Sequence, residues 1–321
     1  MHISADFKNS ALPSSGIVAV VIHGDKLGLA AQALDKATDG AVKRALAANE
    51  FKAKAGASLT ITGTAYTKII IVSTGPKVDE DSLLTAGGAL YTAIASAKQD
   101  EVVVAVDAAS SKKGQHAAAT VAHGAVLRSY DFDIYRTKVK PEDKPKLKRI
   151  AIHLGDPADA KKAYAPLLAE SNAVFLTRDL VSEPPNVIYP ESFAERTKEL
   201  KKLGVKVEIL DLAALKKLKM GALIGVAQGS VRDPRVVVLK WEGATGKDKQ
   251  PIAFVGKGVT FDTGGISIKP AGGMDEMKWD MAGAGAVVGA IAALAGRKAK
   301  VNAIGICGLA ENMPDGNAQR P

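Results

Sequence analysis

Lys257, Asp262, Lys269 and Asp280 place charges of both signs in an apolar, glycine-rich part of the sequence. The run Pro251 to Val255 reads as a buried strand that ends in the glycine-flanked Lys257, with Asp262 following in the turn Phe261-Asp262-Thr263-Gly264-Gly265. Charge is costly to bury unless it is paired or coordinates a metal. Two carboxylates and two amines beyond such a strand therefore point to a metal site or a catalytic cluster. An amine ligates metal only when neutral, so a ligating Lys257 needs burial and a neighbouring dication to lower it from the reference value of about 10.4.

Phosphate-binding loops are the nearest alternative for glycines flanking a lysine, and the spelling excludes them. A P-loop requires Ser or Thr after its lysine, where Gly258 stands, and a glycine five residues before Gly256, which is absent. The dinucleotide fingerprint fails at Phe261, which occupies the place of the third glycine.

The elements that must position these residues alternate along the chain. Ile17 to Ile22, Lys68 to Val72, Val102 to Val106 and Arg149 to Leu154 are short β-branched runs. Between them, Leu27, Ala30, Ala31 and Leu34, then Leu83, Leu84, Leu90 and Ile94, then His116 to Leu127 follow helical spacing. This predicts an α/β domain over 1–156. A helix linking the two domains follows over 157–182, stopped by Pro184-Pro185-Asn186. Alternation resumes over 183–321, with strands expected at Val205 to Leu210, Arg235 to Trp241, Ile252 to Val255 and Val301 to Ile306. Ligands gather beyond the carboxyl ends of strands in open α/β sheets, and Lys257 and Asp262 are expected just past such an end.

The composition is that of a globular protein, with 47% hydrophobic and 24% charged residues in 321. Met281 to Gly296, mostly Ala and Gly, is expected to be a buried helix too short for a membrane span. The N-terminus lacks the basic and apolar regions of a secretory signal, and the single cysteine, Cys307, excludes an intramolecular disulfide; both fit a cytoplasmic setting. A net charge of +9 is compatible with an acidic partner such as DNA, but no basic run is interleaved with stacking aromatics. All five histidines lie in the first half without metal-ligand spacing and read as structural or surface residues. Cys307 reads as core packing.

The string Val255-Gly-Lys-Gly-Val-Thr-Phe-Asp-Thr-Gly-Gly265, continuing through Lys269-Pro270 and Met274-Asp-Glu-Met-Lys-Trp-Asp-Met281, resembles the leucyl aminopeptidase (cytosol aminopeptidase) family, including its bacterial members. The resemblance extends to Asp179-Leu180-Val181, to Pro184-Pro185-Asn186, and to Ala310-Glu-Asn-Met-Pro314 through Arg320-Pro321. It implies an α/β fold throughout: an N-terminal α/β domain with a small mixed sheet, then a larger aminopeptidase domain with a central mixed sheet, of which this chain holds part.

The same resemblance assigns roles. It implies two divalent ions, manganese or zinc, with Lys257 and Asp280 on the tighter ion and Asp262 bridging both. It makes Lys269 a catalytic lysine that stabilises the oxyanion, and places Met277 in the pocket for the first side chain of a peptide substrate. It also implies that the other four residues contact the substrate. It further implies an arginine-held bicarbonate as base, a homohexamer, and DNA binding in some bacterial members. Glu311 and Asp315, though acidic, are not expected to be ligands. The family's second signature, Asn-Thr-Asp-Ala-Glu-Gly-Arg, is not spelled in the 321 residues. The chain therefore reads as a C-terminally truncated member, expected to be inactive or nearly so by itself. Loss of catalysis to leave a scaffold is the remaining alternative, against which stands the retention of all four charged residues.

Overall fold

The computed structural model describes residues 2–107, 112–246 and 250–320. The chain divides into two compact units, Met1–Ser171 and Asn172–Pro321.

The first unit contains β1 (Ser4–Lys8), β2 (Ile17–Ile22), α1 (Leu29–Ala37), α2 (Ala41–Ala48), β3 (Ala55–Ile61), β4 (Lys68–Thr74), α3 (Glu80–Ile94), β5 (Glu101–Val106), α4 (Lys112–Arg128) and β6 (Arg149–His153). Its sheet runs in the order β1-β6-β5-β2-β4-β3, parallel except where β3 meets β4. The four strands expected from β-branched runs are its four inner strands, where Val18, Val20, Ile69, Ile71, Val104 and Ile150 are fully buried. The two strands without such a signature, β1 and β3, are its edges. An edge strand faces fewer apolar neighbours, so its sequence need not be continuously hydrophobic.

The stretch expected to link the domains is the single helix α5 (Ala158–Ser182), and the division between units falls inside it. Within the first unit, Tyr164 packs on Phe7 with ring centroids 5.2 Å apart, and the hydroxyl of Ser171 lies 2.9 Å from Nδ1 of buried His123. Burial lowers the affinity of His123 for a proton, which suits a neutral structural histidine.

The second unit adds α6 (Pro190–Thr197), β7 (Lys206–Leu210), α7 (Leu212–Lys217), α8 (Gly221–Ala227), β8 (Arg235–Glu242), β9 (Ile252–Asp262), α9 (Ala282–Gly296) and β10 (Asn302–Asn312). Its mixed sheet runs β7-β8-β10-β9, with only the β10–β9 pair parallel. The crossover from β9 through α9 to β10 joins these parallel neighbours, as parallel pairing requires. Val288, Ile291, Leu239, Phe193 and Leu309 close the core over this sheet. Cys307 is wholly buried in β10, and burial pushes its thiol up to about 12, so it packs as an apolar residue.

Three expectations are corrected. Counted with the 3-10 turn before α9, Met274–Gly296 is long and apolar enough to cross a membrane by length and composition, although α9 is packed here as a core helix. The strand expected to end at Val255 runs on to Asp262, so Lys257 lies within β9 and Asp262 is its last residue. Nor is its first part buried: Ile252 and Val255 are 57% and 77% exposed, and β9 is an edge of the sheet among the described residues.

Candidate functional site

In a regular strand, residues an odd number apart point to opposite faces, which would separate Lys257 from Asp262. The register with β10 removes this conflict. Between the pairs Val259–Ala310 and Asp262–Asn312, β9 advances three residues against two in β10, so it carries a bulge. Burial records the same event: Gly256, Gly258 and Thr260 alternate inward, and then Phe261 is buried immediately after Thr260. The extra residue turns Asp262 to the face that Lys257 shares.

The glycines flanking Lys257 serve packing rather than a turn. A Cβ at Gly256 would stand 2.6 Å from Cα of Ala284 and 2.7 Å from the carbonyl oxygen of Gly283. One at Gly258 would meet Leu309 at 2.4 Å. With hydrogen in place of side chains, the start of α9 lies directly on β9, and Asp280, just ahead of that helix, is brought to Lys257.

The charged residues form two pairs. Lys257 Nζ donates to Asp280 Oδ1, and Lys269 Nζ donates to Asp262 Oδ2 at 2.7 Å. Lys269 also reaches the Sδ of Met277 at 3.1 Å, so all five residues singled out in the sequence belong to one connected region. The Lys257 side chain is 60% exposed, which corrects the expectation of a buried amine. Gly264 and Gly265, at φ +90° and +71°, make the reversal that returns Lys269 toward Asp262, and the N–H of Lys269 bonds the Thr263 carbonyl at 2.9 Å.

Burial alone would raise the Asp262 carboxyl. Hydrogen bonds from Lys269, from the N–H of Gly264 at 2.9 Å and from Asn312 at 2.6 Å, together with the Lys269 charge, outweigh it and hold the group below its usual range. At Asp280, in contrast, Oδ2 is buried without a hydrogen-bond partner among the described residues. A buried anionic oxygen lacking a donor is uncommon and costly, and a cation would satisfy it. The donor types of Lys257, Asp262 and Asp280 suit a divalent ion, provided that the ion displaces the proton through which the exposed Lys257 amine donates to Asp280. Among the described residues no cluster of three or more His, Cys, Asp or Glu offers an alternative metal site. A cavity of about 820 Å³ in the first unit, lined by Asp35, Lys36, Asp39 and Lys43, contains none of the five residues.

Asn312 was singled out only as part of the Ala310 to Pro314 motif and given no role at the site, since its link to Asp262 depends on strand pairing across fifty positions. Glu311 is not at the metal-holding face. It is wholly buried and accepts from Arg320 Nε at 2.9 Å and Nη2 at 2.5 Å, and from Ser230. Pro321, which ends the Arg-Pro motif, lies outside the described residues.

Residues 17–139 match the profile of the cytosol aminopeptidase family's N-terminal domain, and residues 175–321 that of its catalytic domain. The probable cytosol aminopeptidase of Caulobacter vibrioides is 48% identical over 314 residues, 96% of this chain and 63% of that protein. The corresponding protein of Chelativorans sp. is 50% identical over 326 residues, 98% of this chain and 64% of its own length. The chain thus spans slightly under two thirds of these relatives. Among solved structures, a tomato leucine aminopeptidase variant superposes with a TM-score of 0.80 at 27% identity, covering 99% of this chain and 65% of that one. The bottromycin maturation enzyme BotP in complex with Mn gives 0.73 at 30% identity, covering 95% and 61%.

Proposed function

Because this chain belongs to the cytosol aminopeptidase family, we propose that it carries one metal-holding wall of a metal-dependent aminopeptidase that removes leucine and other apolar N-terminal residues from peptides. The observation that carries this reading is the unsatisfied buried oxygen of Asp280 beside the Lys257 amine, on the region that also holds Asp262 and Lys269.

Lys257, Asp262 and Asp280 would hold the ions. When bound, two divalent ions, manganese or zinc, supply charge to polarise the scissile carbonyl and a water activated for attack. The chain's own groups do the rest. Asp262, held anionic by three donors, keeps its charge through the neutral range. Lys269 donates to the carbonyl oxygen as negative charge develops there, the preorganised electrostatics that dominate acyl transfer. Met277, in contact with Lys269, places a deformable apolar side chain where the substrate's first residue would lie. Bicarbonate as base, a homohexameric assembly and a cytoplasmic location complete the proposal by family likeness.

With only two carboxylates for two ions, the 321-residue chain alone is expected to hydrolyse peptides weakly or not at all. The deciding experiment is leucine-anilide hydrolysis by a protein that also contains the family's second signature. Activity should disappear on chelation and return with manganese or zinc; full activity in chelator would overturn the reading.

A further inference from the structure

Asp262 is the last residue of β9, and the residue paired with it across the bulge is Asn312. Asn312 engages this strand end through three hydrogen bonds. Its Nδ2 donates to Asp262 Oδ1 at 2.6 Å, and its carbonyl oxygen accepts from both the N–H and the hydroxyl of Thr263, at 2.9 and 2.8 Å. A carboxylate has no proton to give, so the NH₂ end of the amide must face it. The other end needs the absence of a side chain at Gly265: a Cβ there would stand 2.7 Å from Asn312 Oδ1, so glycine leaves the room that the amide oxygen occupies.

Asn312 is braced from behind. Its neighbour Glu311 points to the opposite side of β10, wholly buried under the Arg320 guanidinium and the Ser230 hydroxyl. The last residues of β10 are thus hydrogen-bonded on both sides, Glu311 to Arg320 and Ser230 and Asn312 to Asp262. With Gly264 on the same oxygen and Lys269 on the other, each carboxylate oxygen has a fixed donor. Removing the Lys269 bond leaves Oδ2 free while Oδ1 remains anchored.

We propose that Asn312 is a positioning residue for Asp262, fixing the carboxylate in the single orientation in which Oδ2 faces the metal-holding side. This rests on the reading of Asp262 as a metal ligand. Partners behind a ligand contribute affinity by holding it oriented, and their loss costs about 10–100-fold in metal binding.

The test is Mn²⁺ affinity of the 321-residue chain, measured by electron paramagnetic resonance, with circular dichroism to follow folding of the metal-free protein. Asn312→Ser and Asn312→Ala should both weaken Mn²⁺ binding by at least tenfold with the fold intact. Thr263→Val, which loses the hydroxyl's bond to the Asn312 main-chain carbonyl and its bond from the Gly265 N–H but not the amide on Asp262, should bind Mn²⁺ like the wild type. Asp262→Asn separates this inference from the reading beneath it. If Asp262→Asn binds Mn²⁺ as tightly as the wild type, or the wild type itself binds none, the ligand reading falls and takes the inference with it. If Asp262→Asn abolishes binding while both Asn312 variants stay within twofold of wild type, only the positioning role is overturned. That role is overturned equally if Thr263→Val weakens binding as much as Asn312→Ser.

Discussion

At the scale of residues, the two lysines of the site have different electrostatic partners and should fail differently. Lys269 donates to a carboxylate held by two other groups, so removing it leaves Asp262 anchored. In a protein that also carries the second signature, Lys269→Met should lower kcat by about 10²–10³, the usual loss for one oxyanion donor, with little change in Mn²⁺ affinity. Unchanged kcat would remove Lys269 from the chemistry. Asp262 carries a pH signature too. Its folded carboxyl lies below the unfolded value, so its contribution to stability is present above about pH 4 and is lost as pH falls through the folded value. Urea unfolding of the metal-free chain should show Asp262→Asn destabilised at pH 7, with the difference from wild type shrinking below about pH 4. A difference independent of pH would mean that the carboxylate's ionisation adds nothing. Residue types carried much of this in the sequence, since charge among apolar and glycine residues marked all four positions. Asn312 carried no such mark, as a neutral amide at a strand end is ordinary by itself.

Elements determine whether those residues meet. The apolar run of β9 was legible only as far as Val255, because Gly256-Lys257-Gly258 imitates a turn; pairing with β10 overrides that local signal and extends the strand through Asp262. The bulge was not legible at all, since it is a property of register between strands and not of either sequence alone. The glycine role becomes clear only with α9 in place. Gly256→Ala should force α9 away from β9, costing about 1–3 kcal/mol in urea melts as overpacking does, and should weaken Mn²⁺ binding because Asp280 moves with the helix. Stability lost without a change in metal affinity would show that the helix and Asp280 are not coupled.

At the scale of the molecule, β9 is a sheet edge among the described residues, eleven residues long, with Ile252 and Val255 exposed on it. Such an edge is a template for pairing with another chain. Light scattering of the 321-residue protein should show association rising with concentration, and Val255→Lys should suppress it; a monomer at all concentrations, or association unchanged in Val255→Lys, would overturn this expectation. Composition and alternation made the two-part α/β organisation readable, but not where one compact unit gives way to the next, because α5 offers no break in helical pattern at Ser171. That continuous helix matters for anyone wishing to isolate the first unit. A fragment stopped at residue 156 would leave Phe7 without the Tyr164 ring and His123 without the Ser171 hydroxyl, exposing one and stranding the other. The cut that respects the chemistry lies in the middle of a helix, where domain dissection by sequence pattern would not place it.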